Sequence, residues 1–408
     1  MSIIYNLLIK LINTYIFLSS FLNEKSKKIQ KGRKNTFKYV DENINTSKKN
    51  ILIHVSSVGE FEQAKPIIDK LKSFKEFKII VSHFSSSLEE ILKDDKTIDF
   101  SFYLPSDTKS HMDLLIKKIN PLIIIIIKYE FWRNLILASN ENKIPIISVS
   151  TILRKEQFYL PFYSSYLIDI LKKFDLLLVQ NRESVKILKN KKINNVKMVG
   201  DTRFDRVLKI YNESKNYPLV EQFKKNKKIV IIGSSWKSDI DILKKEILRD
   251  FTETKYIIAP HEISDENIKY IENTFINDTI KYSELPQKII KKRILIIDNF
   301  GLLSSLYKYS DVAYIGGGFR GALHNTLEAA VWDIPIIYGN HRNNKKFNEV
   351  LILEKNKIGF PITSGNEFKL LINRIIKYGD IGKGGNKLIK NLSGATVRIS
   401  NEILRLIK

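Results

Sequence analysis

The sequence predicts an α/β protein built on parallel sheets, and three observations carry that prediction. Short apolar runs recur along the 408 residues, the longest at 121–127 and the cleanest at 229–232. Segments with helical periodicity lie between most of them, and alternating strands and helices imply a parallel sheet covered on both faces. The runs end in small or polar residues, as in Ser56-Ser57-Val58-Gly59-Glu60 and again in Gly233-Ser234-Ser235-Trp236. This length accommodates two ordinary domains. Cysteine is absent, which excludes disulfides, thiolate metal sites and a cysteine nucleophile. The formal net charge of +24 favours an anionic partner, although lysine is spread along the chain rather than clustered.

Residues 3–22 are strongly apolar and precede Lys25, Lys27, Lys28, Lys31, Arg33 and Lys34. A secretory signal is disfavoured, because the charge follows the apolar part. Spanning a bilayer takes about 20 apolar residues, which this segment just reaches. Asn6, Lys10 and Asn13 interrupt it at helical spacing and would share one face. That favours a helix lying in the membrane interface with its apolar face down and the basic flank on anionic lipid. A terminal helix buried in a soluble fold is the alternative.

Strands are expected at 50–55, 77–82, 101–104, 121–127, 144–149 and 176–179 in the first half, which closes on Val199-Gly200-Asp201 after a further short strand. In the second they are expected at 229–232, 256–259, 294–297, 312–315 and 334–338. Residues 151–166 read as a helix, and the polar, lysine-rich 212–228 as a linker. The expected division is a membrane-associated segment at 1–35, a first domain at 36–210 and a second at 211–408.

Two carboxylates stand at strand ends. Glu60 follows the first strand, and Glu130 follows the poly-isoleucine strand in Lys128-Tyr129-Glu130-Phe131-Trp132. A carboxylate there could act as general base on a hydroxyl. Equally, Ser57-x-x-Glu60 has the spacing of a helix cap, and Glu130 could be a solvated turn residue. In the second half, Gly316-Gly317-Gly318 follows a strand and precedes a helix opening near Asn325. Gly317 and Gly318 would let backbone approach a ligand, and the helix start would favour a phosphate. Glu328, one turn in, could accept bonds from ribose hydroxyls. Asn325-x-x-Glu328 is also a capping pattern. His261, after a strand and Pro260, is either a site residue or a structural histidine. No Walker loop, HExxH or zinc spacing is present, and no nucleic-acid motif.

Taken together and in order, four motifs resemble the 3-deoxy-D-manno-octulosonic acid (Kdo) transferases of lipopolysaccharide synthesis. They are His54-Val55-Ser56-Ser57-Val58-Gly59-Glu60, Tyr129-Glu130-Phe131-Trp132-Arg133-Asn134, Gly200-Asp201-Thr202-Arg203-Phe204-Asp205, and Gly316-Gly317-Gly318-Phe319 with His324-Asn325-Thr326-Leu327-Glu328. The resemblance implies a GT-B glycosyltransferase, with two Rossmann-like domains facing across a cleft. It implies CMP-Kdo as donor and the bisphosphorylated, acylated lipid A precursor as acceptor, with inversion and release of CMP. It assigns Glu60 as catalytic base, with Glu130 and Arg203 supporting the transition state. CMP would be held by Pro260-His261, by Gly301, Leu302 and Leu303, and by Asn325, Thr326, Leu327 and Glu328. Two departures concern the nucleotide: many members carry an arginine before the histidine matching His261, and a glutamate where this chain has Leu302. No cofactor or metal is expected, and no nucleic-acid partner. The expected location is the cytoplasmic face of the inner membrane. Competing readings are another GT-B glycosyltransferase, a sugar-nucleotide epimerase on the same fold, or a non-catalytic membrane-bound anion-binding protein.

Overall fold

In the computed structural model, residues 2–158, 160–250, 254–287 and 291–407 are described. The chain forms two compact units, Met1–Arg206 with Leu392–Lys408, and Val207–Asn391.

The first unit holds a seven-stranded parallel sheet in the order β3-β2-β1-β4-β5-β6-β7. Its strands are β1 (Lys49–Val55), β2 (Phe77–His83), β3 (Phe100–Tyr103), β4 (Ile123–Ile127), β5 (Ile146–Thr151), β6 (Leu176–Val179) and β7 (Val196–Met198). The isoleucines of β4 show why this run is a strand. Side chains alternate faces with period two, so Ile124 and Ile126 enter one core while Ile123, Ile125 and Ile127 enter the other. All five are fully buried, each stabilising the sheet by about 2 kcal/mol. A run apolar at every position suits only a strand covered on both faces.

The second unit repeats the architecture, with strand order β10-β11-β9-β8-β12-β13-β14. Here β8 is Ile229–Ser235, β9 Lys255–Pro260, β10 Thr279–Lys281, β11 Ile294–Ile296, β12 Val312–Ile315, β13 Ile336–Gly339 and β14 Gly359–Ile362. All pairings in both sheets are parallel. Strand order reverses at β1/β4 in one sheet and at β8/β12 in the other. Ligands of open α/β sheets bind beyond the carboxyl ends of the strands at such points.

Several expectations need correction. The second domain does not run to 408, because Leu392–Lys408 packs with the first unit. Ala395, Ile399 and Ile403 of the helix Ala395–Leu406 fill the core beneath β1 and β4. Asp205 fastens its start, accepting from the Gly394 N–H, the Thr396 N–H at 2.9 Å and the Thr396 hydroxyl at 3.0 Å. The chain passes between units inside the helix Thr202–Asn212, and the expected linker contains the helix Pro218–Lys224. Residues 151–166 are no single helix. They comprise the end of β5, a 3-10 turn at Lys155–Phe158 and the start of the helix Pro161–Leu171, with Tyr159 outside the described residues.

The N-terminus forms two helices, α1 (Ser2–Ser19) and α2 (Glu24–Asn43), and neither is a separate body. No helix among the described residues is long and apolar enough to cross a membrane. The polar face of α1 turns towards the protein rather than away from it. Tyr5 donates to Asp107 at 2.5 Å, Asn6 accepts from Asn134 at 3.2 Å, and Asn13 donates to Ser106 at 2.5 Å. Lys10, on that expected face, stays exposed. Ile9 and Ile16 are buried with the inward face, while Ile3, Leu7, Leu11, Tyr15, Leu18 and Leu22 are exposed. This is the reverse of an ordinary surface helix.

Candidate active site

In the first unit the site forms at the β1/β4 reversal. β1 ends at Val55, Ser56 and Ser57 turn the chain, and α3 (Val58–Lys72) begins. The Ser57 hydroxyl accepts from the Glu60 N–H at 3.4 Å, and the Glu60 carboxylate accepts from the Ser56 N–H at 2.6 Å. The capping reading of Ser57-x-x-Glu60 is therefore realised, and one carboxylate oxygen is committed to it. Glu60 is only 8% exposed. Burial pushes its carboxyl up to about 7, against the pull of the Ser56 N–H, and the negative charge of Glu130 adds to the rise. A carboxyl that titrates near neutrality is matched to taking a proton from a hydroxyl. A cap and a base are compatible here, because the same desolvated helix start provides both.

Glu130 lies beyond the end of β4, where Lys128 adopts a left-handed φ of 61°. Burial raises its carboxyl as well, while the Ser56 and Trp132 side chains and the Lys128 charge draw it back. Glu60 and Glu130 thus both lean on Ser56, and neither is a solvated turn residue. Arg203 opens the helix Thr202–Asn212. Its Nε and Nη2 donate to the Asp201 carboxylate at 3.0 and 2.7 Å. Its charge acts on Tyr129, next to Glu130. The Thr202 hydroxyl donates to the Gln63 carbonyl at 2.7 Å, tying this segment to α3 one turn beyond Glu60.

Behind the two glutamates stands an arrangement that sequence reasoning missed. Trp132 Nε1 donates to His54 Nε2 at 2.8 Å, so the His54 proton resides on Nδ1, facing the Ser82 hydroxyl at 3.0 Å. The Ser56 hydroxyl also reaches Nε2, at 3.2 Å. Burial, with the charges of His83 and Arg33, holds the His54 pKa down at about 3. This neutral imidazole lies against Ser56, whose backbone N–H holds Glu60 and whose hydroxyl serves Glu130. Only the chain order His54-x-Ser56 hinted at it, since the partner Trp132 is distant in sequence.

In the second unit the β8/β12 reversal gathers the predicted nucleotide segments. Trp236, after β8, packs on His261, after β9, with ring centroids 4.5 Å apart, and His261 stacks on His324 at 4.1 Å. Trp236 Nε1 donates to His324 Nε2 at 3.0 Å. Burial lowers both histidines, His324 to about 4, leaving a neutral aromatic cluster. The Arg320 guanidinium lies 5.2 Å from the Trp236 ring. Pro260 is the last residue of β9.

The glycines serve packing first. A Cβ on Gly316 would lie 2.1 Å from the Ser234 carbonyl, and one on Gly318 would lie 2.5 Å from the Gly339 nitrogen. Gly317 has φ 81°, and its N–H donates to Asp239 at 3.0 Å. The helix expected near Asn325 is a single turn, Leu327–Ala330. Its dipole is correspondingly small, and the helix-terminus argument for phosphate loses force. Glu328 is its second residue, and its carboxylate accepts from Asn325 Nδ2 at 3.0 Å, while Asn325 Oδ1 accepts from the Leu327 N–H at 3.1 Å. Thr326 is buried. Gly301, with φ 79°, is exposed, and Leu302 and Leu303 are half-buried at the start of the turn Leu303–Leu306. Leu303 and Tyr307 lie against Gly233 at the end of β8, and the charge of Glu328 acts on Tyr307. No cluster of three or more metal-ligating side chains occurs among the described residues.

Residues 30–206 match the family model described as 3-deoxy-D-manno-octulosonic-acid transferase (kdotransferase). The chain is 28% identical over 342 residues to a 3-deoxy-D-manno-octulosonic acid transferase of Aquifex aeolicus (strain VF5), covering 82% of this chain and 88% of that one. It is 23% identical over 379 residues to the enzyme of the same name from Haemophilus influenzae, covering 86% and 85%. Among solved structures, a UDP-GlcNAc 2-epimerase from Neisseria meningitidis bound to UDP-GlcNAc superposes with TM-score 0.58 at 14% identity, covering 88% of this chain and 99% of that one. A glycosyltransferase from Rickettsia africae ESF-5 superposes with TM-score 0.57 at 15% identity, covering 88% and 98%. These structural likenesses establish the fold, two Rossmann-like units of the GT-B type.

Proposed function

We propose that this chain, a glycosyltransferase whose N-terminal unit is of the Kdo transferase family, transfers Kdo from CMP-Kdo to the lipid A precursor. The observation that carries the reading is Glu60. It is a buried carboxyl at about 7, set at the strand reversal and within the matched residues 30–206. Glu60 accepts the proton of the acceptor sugar's primary hydroxyl. That oxygen attacks the anomeric C2 of Kdo from the face opposite CMP. The C2–O bond to the phosphate breaks with inversion, and CMP leaves with the electron pair. Glu130, whose charge acts on Glu60, and Arg203 favour the charge redistribution of the transition state. The Trp236, His261 and His324 cluster offers a flat aromatic wall to CMP, beside Asn325 and Glu328.

The exposed apolar face of α1 fits a helix lying in the interfacial plane of an anionic membrane, with the body on the cytoplasmic face. The exposed Lys25, Lys27, Lys28, Lys31 and Lys34 of α2 supply the matching charge. An amphiphilic, phosphorylated acceptor would reside in that plane.

The test is Kdo transfer from CMP-Kdo to the lipid A precursor in detergent, with wild type beside Glu60→Gln and CMP binding measured in parallel. Product from the wild type, none from the variant, and equal CMP binding is the expected result. A folded, CMP-binding wild type that makes no product refutes the substrate pair. Absence of CMP binding refutes the nucleotide, and transfer by the variant refutes Glu60 as base.

A further inference from the structure

Arg33 stands apart from every other basic residue of the N-terminal helices. Its neighbours on α2, Lys31 and Lys34, are exposed, as solvated cations should be. Arg33 turns inward and lays its guanidinium 4.7 Å from the centre of the Phe84 ring. Its one hydrogen bond among the described residues is a long one, 3.3 Å from Nη1 to Asn13 Oδ1, and its Nε is buried with no partner. Asp107, next in the chain to Ser106 of the groove that Arg33 lines, has its carboxylate filled by the Tyr5 hydroxyl and by the N–H groups of Asn134 and Leu135. Burial lowers the Arg33 pKa only to about 10, so the group stays cationic at neutral pH. Arg33 is half-buried, and a desolvated cation without a counter-charge destabilises a fold, while a donor fork left open is matched to an oxyanion.

The surroundings say which oxyanion. Arg33 lines a groove of about 350 Å³, together with Lys34 and with the apolar Ile16, Phe17 and Phe37. Cations and hydrocarbon in one groove suit the phosphate of an amphiphile. A short series of contacts links the guanidinium to Glu60. Phe84 stacks on Trp132 at 5.9 Å, Trp132 donates to His54, His54 meets Ser56, and the Ser56 N–H binds the Glu60 carboxylate.

We propose that Arg33 is a phosphate-binding residue of the acceptor subsite, gripping a phosphate monoester of a lipid whose acyl chains lie against α1. The assignment deepens the acceptor reading above and rests on it. Arg33 positions the substrate and takes no part in proton transfer.

The experiment uses the full chain with Arg33→Met and Arg33→Lys. Methionine keeps an apolar stem over Phe84 and removes the charge. On the phosphorylated acceptor, Arg33→Met is expected to raise KM about ten- to hundredfold, the weight of one charge-assisted contact, with kcat within about twofold. On the same acceptor stripped of its phosphates, it matches the wild type. Lysine recovers part of the loss. Thermal stability of Arg33→Met equals or exceeds that of the wild type. A KM that rises equally on both acceptors overturns the proposal, as does lower stability with KM unmoved, which marks a purely structural arginine.

A second readout does not need turnover. The phosphorylated lipid in micelles should change Trp132 fluorescence in the wild type and not in Arg33→Met, with Trp236 and Trp332 replaced by Phe in both. If that difference appears while the wild type, with all three tryptophans in place, transfers no Kdo, the anion site stands and the assigned reaction falls. If inorganic phosphate alone gives the full response at equal concentration, the site takes free anions, and the lipid assignment is overturned.

Discussion

Glu60→Gln should stabilise the first unit while abolishing activity, and the gain should depend on pH. In the fold the Glu60 carboxyl sits at about 7 instead of its ordinary 4.5. A folded-state value above the unfolded one means that the fold prefers the protonated form. The fold therefore loses stability as pH rises from 4.5 through 7, and the loss is complete above 7. That gap corresponds to about 3 kcal/mol. Glutamine removes the ionisation while its carbonyl oxygen can still accept the Ser56 N–H, which lies 2.6 Å from the carboxylate in the wild type. The variant should thus exceed the wild type by about 1–3 kcal/mol at pH 8 and by close to nothing at pH 4.5. Urea unfolding at several pH values, followed by Trp132 fluorescence with Trp236 and Trp332 replaced by Phe, reads this directly. A variant less stable than the wild type at pH 8, or a difference that does not change with pH, refutes the reasoning.

The remaining predictions concern the same unit. The kcat/KM of the wild type should fall about tenfold per pH unit below about 7 and level off above it, as a base that must be ionised requires. Glu130→Gln removes a neighbouring negative charge and should move that acid limb down by roughly half to one pH unit, whereas an unmoved or raised limb contradicts the pairing. Asp205→Ala removes the acceptor that holds Gly394 and Thr396. It should cost about 2–4 kcal/mol and speed amide exchange in the helix Ala395–Leu406 before the rest of the unit. Unchanged exchange there would show that apolar packing alone fastens this helix.

The fold class was legible because its signals are local. The β4 isoleucines announce a strand buried on both faces, and loops such as Ser56-Ser57 and Gly233-Ser234 mark where chemistry can gather. Glu60 was legible for the same reason, standing one turn beyond a strand end in a recognisable spacing. The short strands β10 and β14 were not, since three or four residues carry too little pattern to separate strand from loop.

What tertiary structure alone decided is partnership across distance. Residues far apart in sequence meet only after the sheets form, as when Trp132 reaches His54 and Asp205 caps the terminal helix. The direction of α1 follows the same rule. Helical periodicity shows that Asn6 and Asn13 share a face, but only Ser106 and Asn134 on the body turn that face inward and leave Ile3, Leu7, Leu11 and Leu18 outside. Arg33 reads in sequence as one more charge in a basic run. Its inward turn onto Phe84 appears only in the packed chain, because burial is a property of neighbours and not of the residue itself.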